Sequence, residues 1–121
     1  MRDLACKEDI ILLVNEFYSK IQNDSVIGYI FTDVAKLNWD LHLPKMYYFW
    51  GYILFGTGDY KGNPMVVHID LNKKEKLKPQ HFERWKALWI ETVEPLFDGP
   101  KSKEAISRAS SIAALMEFKV Q

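Results

Sequence analysis

Four stretches of this chain repeat apolar residues at helical spacing, and none alternates apolar with polar residues as a half-buried strand would. The first runs from about residue 7 to residue 22, where Ile10, Leu13, Val14, Phe17, Tyr18 and Ile21 share one face. Asn23, Asp24 and Ser25 supply the turn chemistry that ends it. The second runs from about residue 37 to residue 55, with His42, Met46, Phe49, Trp50 and Ile53 in line. Pro44 falls inside it, so the helix either starts near His42 or bends there. The third runs from about residue 79 to residue 96, with Phe82, Trp85, Leu88, Trp89, Thr92 and Leu96 on its inner stripe. Pro79 suits its start, and Pro95 with Asp98, Gly99 and Pro100 marks its stop. The fourth runs from about residue 102 to residue 118, with Ile106, Ala109, Ile112, Ala113 and Met116 as its apolar face.

The connections are short. After residue 25, a short segment reaches Phe31, and Thr32 and Asp33 suit the cap of a further short helix. Residues 56–64 are rich in glycine and end on Pro64, which makes them a loop. Residues 65–71 are too few to judge by periodicity, and residues 72–78, with four lysines, read as an exposed linker. The expected fold class is all-α, with crossed helices packed in a single domain over residues 1–121.

Composition narrows the function classes. Sixteen basic residues balance sixteen acidic ones, so no excess charge points to a nucleic acid or to an anionic membrane. A single cysteine, Cys6, forbids an internal disulfide and a thiolate-built zinc or iron–sulfur centre. The apolar run Ile10–Val14 is far too short to cross a bilayer. The first residues hold no signal-peptide core, which makes the cytoplasm the expected compartment. No nucleotide loop, nucleophile elbow or metalloprotease motif is present, and no residue is singled out as catalytic. Four Trp, seven Phe and six Tyr, many on inner faces, need a large core or a flat apolar partner to pack against.

The chemistry therefore rests on three histidines. His42 lies on an apolar stripe, where a buried imidazole needs either a hydrogen-bond partner or a ligand. His68 follows the Gly/Pro loop and, taken alone, is a polar residue of a short segment. His81 adjoins the lysine-rich linker and reads as solvated. Tyr18 and Trp85 lie on inner faces, where aromatics usually fill the core; spacing alone leaves pocket lining open but does not show it.

The order of motifs adds what spacing cannot. Phe17-Tyr18 is followed by Gly28-Tyr29-Ile30-Phe31, then by Trp39-Asp40-Leu41-His42-Leu43-Pro44-Lys45-Met46 running into Phe49-Trp50. Tyr60-Lys61-Gly62-Asn63-Pro64-Met65 precedes His68-Ile69-Asp70-Leu71, and Phe82-Glu83-Arg84-Trp85 comes last. Over nearly its whole length the chain resembles the group III truncated haemoglobins. The resemblance implies a truncated globin, a two-over-two helical sandwich around haem b. His68 matches the proximal iron ligand. Tyr18, His42 and Trp85 match the distal residues that face the gas. Phe31 matches the phenylalanine that packs on the haem face, and Met46, Phe49 and Trp50 match pocket positions. More weakly, the resemblance implies that Lys45 reaches a haem propionate.

The implied ligands are oxygen, nitric oxide and carbon monoxide. Tyr18, Trp85 and His42 would supply donors that slow the escape of a polar diatomic ligand, which suits retention or detoxification better than transport. Turnover of nitric oxide, as a dioxygenase does, or of peroxide would need an external electron donor. His42 is expected to act as a gate rather than a stable sixth ligand, because Pro44 limits how its helical turn can adjust. The alternative is a haem-free, globin-shaped domain for protein interaction or sensing.

Overall fold

The computed structural model describes residues 1–56 and 72–120. His68 and most of the Gly/Pro loop lie outside the described residues. Among the described residues the secondary structure is helical throughout, as the periodicity requires. The elements are α1 (Lys7–Gln22), a π-helical turn (Ile30–Val34), α2 (Trp39–Phe55), α3 (Pro79–Leu96) and α4 (Pro100–Val120).

Helix α1 is the centre of the core. Its first turn carries Glu8 and Asp9 and its last turn Lys20, each favourable to the helix dipole. Leu13, Val14 and Ile21 are fully buried, and Ile10 and Phe17 nearly so. Burying each such side chain contributes about 1.5–3 kcal/mol. Asn23 closes the helix by donating from Nδ2 to Ser19 O at 2.9 Å. Asp24 then accepts from the N–H groups of Val26 (3.0 Å) and Ile27 (3.1 Å), which turns the chain back on itself. A Cβ at Gly28 would sit 2.9 Å from Ile21 O, so this close approach admits only glycine.

The short helix expected after residue 31 is instead a π-helical turn. Its bonds widen to the fifth residue, with Ala35 N–H donating to Ile30 O at 2.8 Å. Lys36, in the left-handed region at φ 51°, ends the run, and the Asn38 side chain caps α2 by accepting from Asp40 N–H at 3.1 Å. Helix α2 continues through Pro44, its sixth residue, to a left-handed Gly56. The start therefore precedes His42 by three residues, and the helix runs on through Pro44, which has no N–H to give to Asp40 O.

Helix α1 packs on α2 and on α3, α3 packs on α4, and α2 touches α4. Two helix pairs thus form two layers. Small residues decide the α3–α4 seam. Ser102, Ala105, Ala109, Ala113 and Met116 form the buried face of α4, while Ile106 and Ile112 sit at its margin. Trp89 is fully buried against this face and donates from Nε1 to Ala105 O at 3.1 Å. Ala109, Ala113 and Met116 lie inward as their spacing predicts, and Ser102 and Ala105 complete the face in place of Ile106 and Ile112. The small side chains make room for the indole.

Polar ties fasten the ends. Pro95 has no N–H to give to Glu91 O, four residues earlier, and Lys20 Nζ fills that vacancy at 3.1 Å. Lys101 Nζ donates to Leu54 O in the last turn of α2. Asp3 takes the place of an N-cap for α4. Its carboxylate accepts from Lys101 N–H (2.8 Å), Ser102 N–H (2.8 Å) and Ser102 Oγ–H (2.6 Å). Gly99 has φ 147°, and a Cβ there would meet Asp3 Cγ at 2.5 Å. Asp3→Ala is expected to destabilise the protein by about 1–2 kcal/mol in urea unfolding, the scale of a lost cap. Gly99→Ala should cost at least as much, and an unchanged midpoint for both variants would show that this contact carries no stability.

Candidate functional site

The turn after α1, the start of α3 and the end of α4 line an apolar pocket that is partly open to solvent. Ile27, Ile30 and Phe31 form one side. Leu77, His81, Phe82 and Trp85 form the second, and Ala113 and Met116 close the third. A few polar groups in an apolar wall are the usual pattern of a small-molecule or cofactor site.

Beside the pocket, rings from three elements converge. Tyr18 on α1 meets His42 on α2 edge-on, with centroids 5.0 Å apart. Trp39 lies 5.6 Å from Tyr18 and 5.9 Å from His42. Phe31 lies 6.3 Å from Tyr18 and so connects this cluster to the pocket wall. Trp85 joins through Phe17, whose ring is 5.7 Å from Trp85 and 4.9 Å from Tyr18. His42 Nε2 is sealed from water.

The other expected site residues fall in different settings. Met46 and Phe49 are half-buried on α2 and pack on the core. Trp50 is buried and stacks on Trp89 at 4.4 Å with a 16° tilt. Lys45 is exposed.

His81 departs from its reading as a solvated residue: it is 8 % exposed and lines the pocket. Its Nδ1 accepts from Lys78 N–H at 3.0 Å, which anchors the first turn of α3. Burial, and then the nearby Lys78 cation, lower its pKa, so the ring is neutral at pH 7. The adjacent lysines obscured this in the sequence. The spacing held the signal, because His81 is four residues before Trp85 and so shares its face. Trp39 joins the ring cluster, and Phe82 and Met116, which helical spacing marks only as inner-face residues, line the pocket.

No protein-family model matches the chain. The Group 3 truncated hemoglobin ctb of Campylobacter jejuni subsp. jejuni is 31 % identical over 111 residues, covering 89 % of this chain and 85 % of that protein. This chain belongs to the group III truncated haemoglobins. A solved group III truncated hemoglobin from Campylobacter jejuni superposes with a TM-score of 0.86 at 27 % identity, covering 100 % of this chain and 96 % of the other. The all-α truncated globin fold is thereby shown. For a truncated haemoglobin, haem is the group to be fitted, and the donor set suits it. A flat apolar body needs aromatic and aliphatic walls, which Phe31, Phe82, Trp85 and Met116 provide.

An ion pair holds one wall in place. Arg84 donates from Nε to Asp24 Oδ1 at 2.8 Å, joining α3 to the turn that leads to Ile27 and Ile30. Burial of the Asp24 carboxyl opposes its ionisation, but Arg84 and the N–H groups of Ile27 and Val26 outweigh this, so its pKa lies below the usual carboxylate range. The unfolded chain then binds the proton more readily than the folded one. The stabilisation is full above about pH 4 and is lost as pH falls through the folded value. In Asp24→Asn, urea stability below pH 4 should vary less steeply with pH than in wild type. Identical slopes would remove Asp24 from the acid response.

Proposed function

We propose that this truncated haemoglobin binds haem b and holds a diatomic gas, with slow release suited to oxygen retention or to turnover of nitric oxide or peroxide. One observation carries the reading: the apolar pocket borders a ring cluster that contains a phenol, an imidazole and, through Phe17, an indole. When bound, haem supplies an iron centre that takes the gas. His68 is the iron ligand in this reading, by its match to the family's proximal position. Phe31, Phe82, Trp85 and Met116 would hold the ring, with Met46, Phe49 and Trp50 supporting it from α2. Lys45 is the proposed contact to one propionate.

The distal donors have a simple energetic role. Tyr18 O–H and Trp85 Nε1–H each offer a hydrogen bond, and His42 offers another when its donor nitrogen faces the gas. In a site shielded from water, each bond contributes about 1 kcal/mol or more. Two or three together slow escape by orders of magnitude. His42 fits a gate between Tyr18 and Trp39, able to swing without leaving its helix. No helix among the described residues is long and apolar enough to cross a membrane. Electrons for any turnover would come from an external donor.

Haem added to the purified protein is expected to give a Soret band with the spectrum of imidazole ligation. His68→Ala should lose that spectrum and most haem affinity, whereas His42→Ala should keep its haem. Equal spectra for wild type and His68→Ala would overturn the ligand assignment. Failure of the wild type to take up haem would instead favour a haem-free interaction or sensory domain.

Tyr18→Phe removes one hydroxyl and keeps the ring. Stopped-flow oxygen dissociation is expected to accelerate about tenfold in this variant, corresponding to about 1.4 kcal/mol. Trp85→Phe should act in the same direction, and unchanged rates in both variants would remove these residues from gas retention.

A further inference from the structure

His81 does something in this pocket that the family assignment of distal and proximal residues leaves unused. Its Nδ1 accepts the Lys78 N–H, so that nitrogen carries no proton. Burial and the Lys78 cation keep the ring neutral, which places its one proton on Nε2. The ring lines the pocket with Leu77 and Phe82 and meets Tyr29 edge-on, with centroids 6.5 Å apart. Apart from Trp85, itself a donor, the other lining side chains are apolar, and among them only the Met116 sulfur accepts, weakly. A ligand that fills the pocket can bring the Nε2–H a strong acceptor. A neutral N–H donor in the wall of an apolar cavity is suited to a carboxylate on an otherwise flat apolar ligand.

We propose that His81 donates from Nε2 to one of the two propionates of haem, anchoring the cofactor at the start of α3. The proposal rests on the haem reading above. It makes His81 a positioning residue with two separable jobs: Nδ1 braces the helix start, and Nε2 holds the ligand. With two propionates on the ring, this contact does not compete with the one assigned to Lys45.

Two substitutions separate the jobs. His81→Gln keeps an acceptor for Lys78 N–H and a donor for the pocket. His81→Glu keeps the acceptor, as an acid at this helix position does, but has no donor. Thermal melting of the haem-free proteins reads the brace. The rate of haem transfer to excess apomyoglobin reads the anchor, measured with haem and with haem dimethyl ester, whose propionates are blocked. Both variants should melt near the wild type. His81→Glu should release haem at least tenfold faster, and His81→Gln within about threefold of wild type. Esterification should speed release from wild type and His81→Gln by more than from His81→Glu, in which only the Lys45 contact is left to lose. Equal haem release from wild type and His81→Glu, or the same ester effect in both, overturns the proposal while leaving haem binding intact. No haem uptake by the wild type overturns the haem reading and this inference together. If His81→Glu does not fold, Lys45→Ala isolates the His81 contact: an absent ester effect in that variant overturns the proposal, and a clear one sustains it.

Discussion

Phe17 packs edge-on against three other rings, and both the core and the site depend on where it stands. Its centroid lies 4.9 Å from Tyr18, 5.7 Å from Trp85 and 5.0 Å from Trp89. Through Trp89 it reaches the α3–α4 seam and the Trp50 stack; through Tyr18 and Trp85 it reaches the ring cluster and the pocket. Edge-to-face pairs of this kind are worth about 0.5–1.5 kcal/mol each beyond their buried area. Their geometry matters as much as their energy. A close-packed interior leaves no slack, so the polar atoms of Tyr18 and Trp85 are aimed by the same contacts that stabilise the helices. Stability and site placement are therefore one problem in this fold.

Around that lattice, the polar groups act at the ends of elements. Asp24 closes α1, turns the chain and binds Arg84 on α3, so one buried carboxylate positions a pocket wall. Asp3 caps α4 from a distant part of the sequence, and Lys20 supplies the bond that Pro95 removes from its own helix. Arg2 pairs with both oxygens of Asp9, which also accepts from Ala5 N–H, and this brings the first residues onto α1. Each tie satisfies a backbone or side-chain group that would otherwise be left buried and unmet.

The pocket divides its chemistry between two sides. Rings carried by α1 and α2 bring hydroxyl and imidazole groups together next to Phe31. The start of α3 brings a neutral imidazole to another edge. An apolar cavity between such sides suits a ligand that is flat and greasy over most of its area, polar at its rim and reactive at its centre. That description is met by haem, the group the family name itself implies.

Periodicity alone determined the helices. The spans of α1 and α3 in the sequence coincide with the structure, and those of α2 and α4 differ by about a turn or less, because burial of an apolar stripe is a local pattern. Motif order carried the family, and with it the grouping of Tyr18, His42 and Trp85. The sequence placed Ala109, Ala113 and Met116 on the inner face of α4 but did not determine that Ser102 and Ala105, rather than Ile106 and Ile112, complete it. That follows from the size of Trp89 on another helix, which only Ala105 and its small neighbours can admit. Nor did it place His81, whose lysine neighbours suggest solvent while the packing of α3 against the turn after α1 buries it. Local pattern decides what helix a segment forms; which residues of that helix meet a pocket depends on the shape of its partners, and those partners lie far away in the chain.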